Sequence, residues 1–144
     1  FVSGRYYEDL QSFVGIYTAA GMVAVSSRPV YFYRPNPSSF INTWHSKRTD
    51  ALWAVDSLRR QFSGKSDELR KAALAGSFSA YYNICNLAVT NKRPEIADRC
   101  HRFITKHRAA IIADRRVRLK DKLGALLSYC GRRAMELAVQ TLNI

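Results

Sequence analysis

Between residues 43 and 142 the sequence is one helix-patterned run after another, which leaves little room for any arrangement but packed helices. Residues 43–62 place Trp44, Leu52, Val55, Leu58 and Phe62 among the apolar positions of a first run. The stretch "SGKS" at 63–66 breaks it. Ser66 followed by Asp67 and Glu68 is a helix start, because the serine oxygen can take an orphan N–H and the acids favour the positive end of the helix dipole. A second helix is therefore predicted over 67–90. The next break is "TNKRP" at 90–94, and Pro94 suits the first turn of a third helix, where its missing N–H has no partner to lose. That helix is predicted to reach residue 112. A fourth is predicted over 115–142, bent near Gly131, with Leu119, Leu123, Leu126, Cys130, Ala134 and Leu137 on one stripe. Packed on a bundle, that stripe faces the core and Arg118, Lys122, Arg132 and Arg133 form a solvated basic side.

Residues 1–43 carry a different pattern. Glu8 and Asp9 open an apolar-periodic run of Leu10, Phe13, Ile16, Tyr17 and Ala20, read as a helix over 8–20 with Gly21 as its C-terminal cap. "MVAVS" at 22–26 and "RPVYFYR" at 28–34 are short, β-branched or aromatic, and are predicted as two strands. "PNPSS" at 35–39 is a loop, because two prolines and Asn36 exclude regular structure. One helix and two strands cannot build a core alone. The expectation is that residues 1–43 are the end of a larger sheet domain, cut, and that residues 44–144 are a helical domain attached to it.

The charge divides the same way. Residues 1–44 hold Arg5, Arg28 and Arg34 against Glu8 and Asp9, a balance of +1, so +11 of the total +12 lies in residues 45–144. No apolar run approaches the roughly 18 residues a membrane span needs, and residues 1–30 show no signal-peptide pattern. Cys85, Cys100 and Cys130 are widely spaced, with no CxxC, and read as small apolar residues in reduced helices. His101 and His107, six apart, do not share a helix face, and no metal site is read from them.

The segment "YYEDLQSF", followed by "AAGMVAVSSRPVYFYRPNPSSF", resembles the last part of the catalytic domain of family 2 glycosyltransferases, which have the GT-A fold. That family typically shows a Glu-Asp pair opening a helix, then an apolar strand, then a "YyYR…S" segment. The resemblance covers residues 1–43, under a third of the chain. Together with the helical pattern of 44–144, it implies a mainly α chain in which a helical bundle-like region follows one helix and a short two-strand element left from a GT-A α/β domain. It implies that Asp9 is the general base of an inverting transfer, taking the proton of an acceptor hydroxyl, while Glu8 holds local geometry by bonding backbone N–H groups. Arg34, Ser38 and Ser39 would close over the diphosphate of a nucleotide-sugar donor, and His45 and Lys47 would add charge. The acceptor would be a glycan or a lipid-linked sugar of a cell-surface polysaccharide. The enzyme would be cytoplasmic, or peripheral at the inner face of the membrane.

The family's Asp-x-Asp metal motif is absent, since Asp9, Asp50, Asp56, Asp67, Asp98, Asp114 and Asp121 never fall two apart. No cofactor is therefore expected in this stretch, no metal ligand is assigned within it, and the divalent cation, Mg or Mn, belongs to the full-length enzyme. The stretch alone is expected to be inactive. Another copy of the chain is expected to cover the apolar face left by the missing sheet, giving a homo-oligomer. Other readings stay open. Glu8 and Asp9 are also ordinary first-turn acids, Arg34 also ends an edge strand, and His45 is also a surface or helix-start histidine. A basic helical module binding nucleic acid is invited by "DRRVRLKDK" at 114–122, but the charges are spread out and interrupted by acids. A membrane-surface or assembly module is invited by the cationic amphipathic run at 115–142 and anionic headgroups.

Overall fold

A computed structural model describes residues 4–34, 36 and 44–142. The protein is mainly α. Among the described residues six helices follow in order: α1 (Glu8–Ala19), α2 (Asp50–Gln61), α3 (Asp67–Thr90), α4 (Pro94–Ala113), α5 (Leu119–Leu127) and α6 (Arg132–Leu142), with short 3-10 turns at Ser46–Thr49 and Ser128–Cys130. The second predicted helix, 67–90, matches α3, and Ser66 caps it by accepting the Leu69 N–H. Pro94 opens α4 as predicted. The run predicted as one helix over 43–62 begins instead as the 3-10 turn and becomes α-helical at Asp50.

Helix α3 is the centre. Its buried residues, Phe78, Tyr81, Tyr82, Ile84, Cys85 and Ala88 among them, wrap round more than one face, so α2, α4, α5 and α6 all find apolar surface on it. Leu52 of α2, Phe78 of α3 and Ile104 and Ile111 of α4 are fully enclosed. Polar bonds fix the register. The Ser77 hydroxyl donates to Ala73 O and reaches Val55 O of α2 at 3.3 Å. Tyr81 Oη donates to Asp56 Oδ2 at 2.8 Å, and its ring stacks on Phe103 of α4 with centroids 3.8 Å apart. The expected cysteine environment holds for Cys85 and Cys100, which are buried, whereas Cys130 is exposed.

Several expectations are corrected. Among the described residues there is no strand: 22–34 forms neither helix nor strand, with Met22, Val25, Val30 and Phe32 all at least 85% exposed. Two short strands need further sheet to hold them, and the described residues contain none. Gly21 does not cap α1 in a left-handed conformation; Ala20 ends the helix in an extended one, its N–H bonded to Ile16 O. The predicted fourth helix is two helices, separated by the turn and by Gly131 at φ 88°, a value that favours glycine.

The largest correction concerns the stripe on that run. Leu119, Leu123, Leu126, Leu137 and Cys130 face outward, and the bundle is met by Asp121, Gly124, Ala125 and Ser128. Small residues win because α5 passes close over the Tyr82 ring and leaves no room for leucine. Two of the arginines expected on a solvated face instead tie helices together. Arg118 bonds Asp121 Oδ2 and Ser79 Oγ of α3, and Arg132 pairs with Asp98 of α4 and with Glu136.

Candidate functional site

The acidic pair lies in the first turn of α1, where the free N–H groups and the helix dipole favour negative charge. The residue before it is held unusually. Tyr7 caps the helix at φ 63°, ψ 26°, left-handed for a bulky side chain, and packs against the core cluster. A strained backbone over-determined by packing fixes the direction in which α1 departs.

Asp9 is exposed, and its Oδ1 accepts the Leu10 N–H at 2.9 Å. The local holding role expected of Glu8 thus falls partly to Asp9. The Glu8 carboxylate makes no hydrogen bond or ion pair among the described residues. Asp9 Oδ2 is left for a further donor.

The start of α1 is anchored to the bundle by Asp50, the first residue of α2. Asp50 Oδ2 accepts the Tyr6 N–H at 3.1 Å, and Oδ1 meets Arg5 Nη1 at 3.4 Å. The Arg5 guanidinium lies 4.7 Å from the Trp53 ring centroid. Farther along, Gln11 Nε2 donates to Ser57 Oγ at 3.2 Å. His45 joins the same corner, its ring 6.2 Å from that of Tyr6, with the Lys47 ammonium 4.9 Å from the Tyr6 ring. His45 also opens the 3-10 turn, Nδ1 accepting the Lys47 N–H. The structure therefore brings His45 and Lys47 to the start of the acidic helix, where the Lys47 ammonium adds positive charge.

Arg34 is exposed in the 22–34 segment, and no hydrogen bond or ion pair among the described residues joins it to α1. Ser38 and Ser39 lie outside the described residues. Asp50, Arg5 and Tyr6 were missed from sequence. They sit 44 and 45 positions apart, so no local spacing signals their pairing. Beside Asp9, Leu10 forms one wall of an apolar groove of about 560 Å³, continued by Leu58, Phe62, Leu69 and Ala72. Among the described residues no three His, Cys, Asp or Glu side chains converge as a metal site would need. No known protein family, curated protein or solved structure matches this chain.

Proposed function

We propose that this chain is the acceptor-activating end of an inverting family 2 glycosyltransferase, with the donor half of the site on sheet strands outside these residues. The observation that carries the reading is the placement of Asp9: exposed, in the first turn of a helix whose direction is set by Tyr7 and Asp50. In this reading a carboxylate oxygen of Asp9 takes the acceptor hydroxyl proton. The hydroxyl oxygen bonds the anomeric carbon as the bond to the nucleoside diphosphate breaks, and the leaving phosphate keeps that electron pair. A carboxylate is a weak base at neutral pH, but the hydroxyl acidifies as it attacks, so the proton can move late.

The exposed apolar surface of α1 and of residues 22–34 supports a missing partner layer. Phe13, Ile16, Tyr31 and Phe32 are each more than half exposed, a pattern a finished surface avoids. A GT-A sheet would pair 22–26 and 30–34 as strands and cover that face. Arg34, with Ser38 and Ser39, would then meet the donor diphosphate through a guanidinium suited to paired phosphate oxygens. A divalent cation would bind on the donor half, since the sequence contains no Asp-x-Asp. The test is sugar transfer by the full-length enzyme carrying Asp9→Asn against Glu8→Gln. Loss confined to the aspartate variant supports the assignment.

A further inference from the structure

Helix α5 is built inside out for a bundle helix. At 100° per residue, Leu119, Leu123 and Leu126 fall within an arc of about 60°, and they are 72%, 50% and 50% exposed. Lys120 and Lys122 flank that arc, one on each side. The opposite face, Asp121, Gly124, Ala125 and Ser128, is buried on the bundle. The helix thus lies flat on the protein with its apolar edge out and a lysine on either shoulder.

The surrounding charge is net positive. Arg115, Arg116, Arg118, Lys120, Lys122, Arg132 and Arg133 fall within residues 115–133; Arg116 is paired with Asp114 and Glu68, and Arg132 with Asp98 and Glu136, while the one carboxylate inside that span is Asp121. That carboxylate is turned inward and paired with Arg118. Among the described residues no acid pairs with Lys120 or Lys122.

We infer that this face seats the protein on an anionic membrane surface, with the three leucines entering the headgroup boundary and the two lysines meeting lipid phosphates. An apolar stripe shouldered by cations, on a helix lying in the plane, is the arrangement that interface favours. Lysine stems can follow the leucines down while their ammonium groups stay at the phosphates. A second copy of the chain is a poor occupant, because docking two such faces would set like charges against each other. No helix among the described residues is long and apolar enough to cross a membrane, so the contact is one of lying on the surface. The inference rests on α5 and its surroundings, not on the transfer reading.

The test is flotation of the 144-residue chain with phosphatidylglycerol–phosphatidylcholine vesicles and with phosphatidylcholine alone. The chain is expected to float with the first and not the second. Leu119→Gln/Leu123→Gln/Leu126→Gln keeps every charge and alters only exposed side chains, with folding checked by circular dichroism. It is expected to cut partitioning at least about tenfold. Lys120→Gln/Lys122→Gln is expected to cut it about tenfold as well. A triple-leucine variant that floats like the parent would mean that net charge alone drives binding, and would overturn the inference. Failure of the parent chain to float with anionic vesicles would overturn it too. So would a dimer in solution that the leucine substitutions dissociate, since the stripe would then be an interface between copies.

Discussion

Gly124 of α5 lies so close to Tyr82 of α3 that a Cβ built on it would stand 2.5 Å from the ring. The contact is with ring carbons of a buried side chain, which cannot swing aside without opening the core. Gly124→Ala is therefore expected to destabilise the fold by about 1–3 kcal/mol through overpacking. Thermal unfolding of Gly124→Ala, Tyr82→Leu and the double variant checks it. The two substitutions should be strongly non-additive, the smaller Tyr82 replacement making room for the methyl group.

The same contact explains what the sequence could and could not show. Helix α3 was legible to the residue because its signals are local: Ser66 as cap, acids at 67 and 68, and an apolar run up to Thr90. The stripe on α5 was legible as a stripe, but periodicity does not say which side meets the protein. That is decided by the Tyr82 ring, 42 positions away, which admits only small residues opposite it. The strands at 22–34 failed for a related reason: β-branched and aromatic residues mark a chain suited to a sheet, and a sheet needs partners. At the candidate site the acidic pair at the head of a helix was legible from Glu8-Asp9 and the apolar run after it. The Asp50 anchor was not, because its link to Arg5 and Tyr6 exists only once α1 and α2 have packed.

Tyr81 gives the fold a signature at high pH. Burial first, and the Asp56 carboxylate bonded to its hydroxyl second, push the phenol up to about 12. In the unfolded chain it titrates near 10. A group raised in the folded state stabilises fully below the unfolded value and loses that contribution as pH rises through the folded one. Stability is thus expected to fall between pH 10 and 12. Denaturant melts across that window check it, and Tyr81→Phe should have a shallower slope.

The cysteines should report burial independently. Burial pushes the thiols of Cys85 and Cys100 up to about 12, and neither side chain reaches solvent. Iodoacetamide is expected to modify Cys130 in the folded chain and the other two only after denaturation, since the thiolate is the reacting species. Mass spectrometry of tryptic peptides resolves the three sites.

If the proposed transfer reading holds, donor binding should separate residues 1–144 from a transferase that carries both halves of the site. Residues 1–144 alone are expected to hold any nucleotide sugar only at millimolar affinity or weaker, because just Arg34 and the serines beyond it would touch the diphosphate. Isothermal titration calorimetry checks this, and micromolar binding would place a donor site within these residues.

Under the proposed transfer reading, the most direct test is the turnover of the full-length enzyme carrying Asp9→Asn. Asparagine keeps the shape of the side chain and one acceptor oxygen for the Leu10 N–H, but removes the proton acceptor. Loss of a positioned base typically costs about 10²- to 10⁴-fold, or roughly 3–5 kcal/mol in the barrier. The fall should appear in kcat with donor KM little changed, since Asp9 would face the acceptor hydroxyl and not the nucleotide. Arg34→Ala should weaken donor binding as well as slow transfer. An Asp9→Asn enzyme that transfers sugar within about threefold of the parent, well short of the loss of a general base, would contradict the account and return Glu8 and Asp9 to first-turn acids of α1.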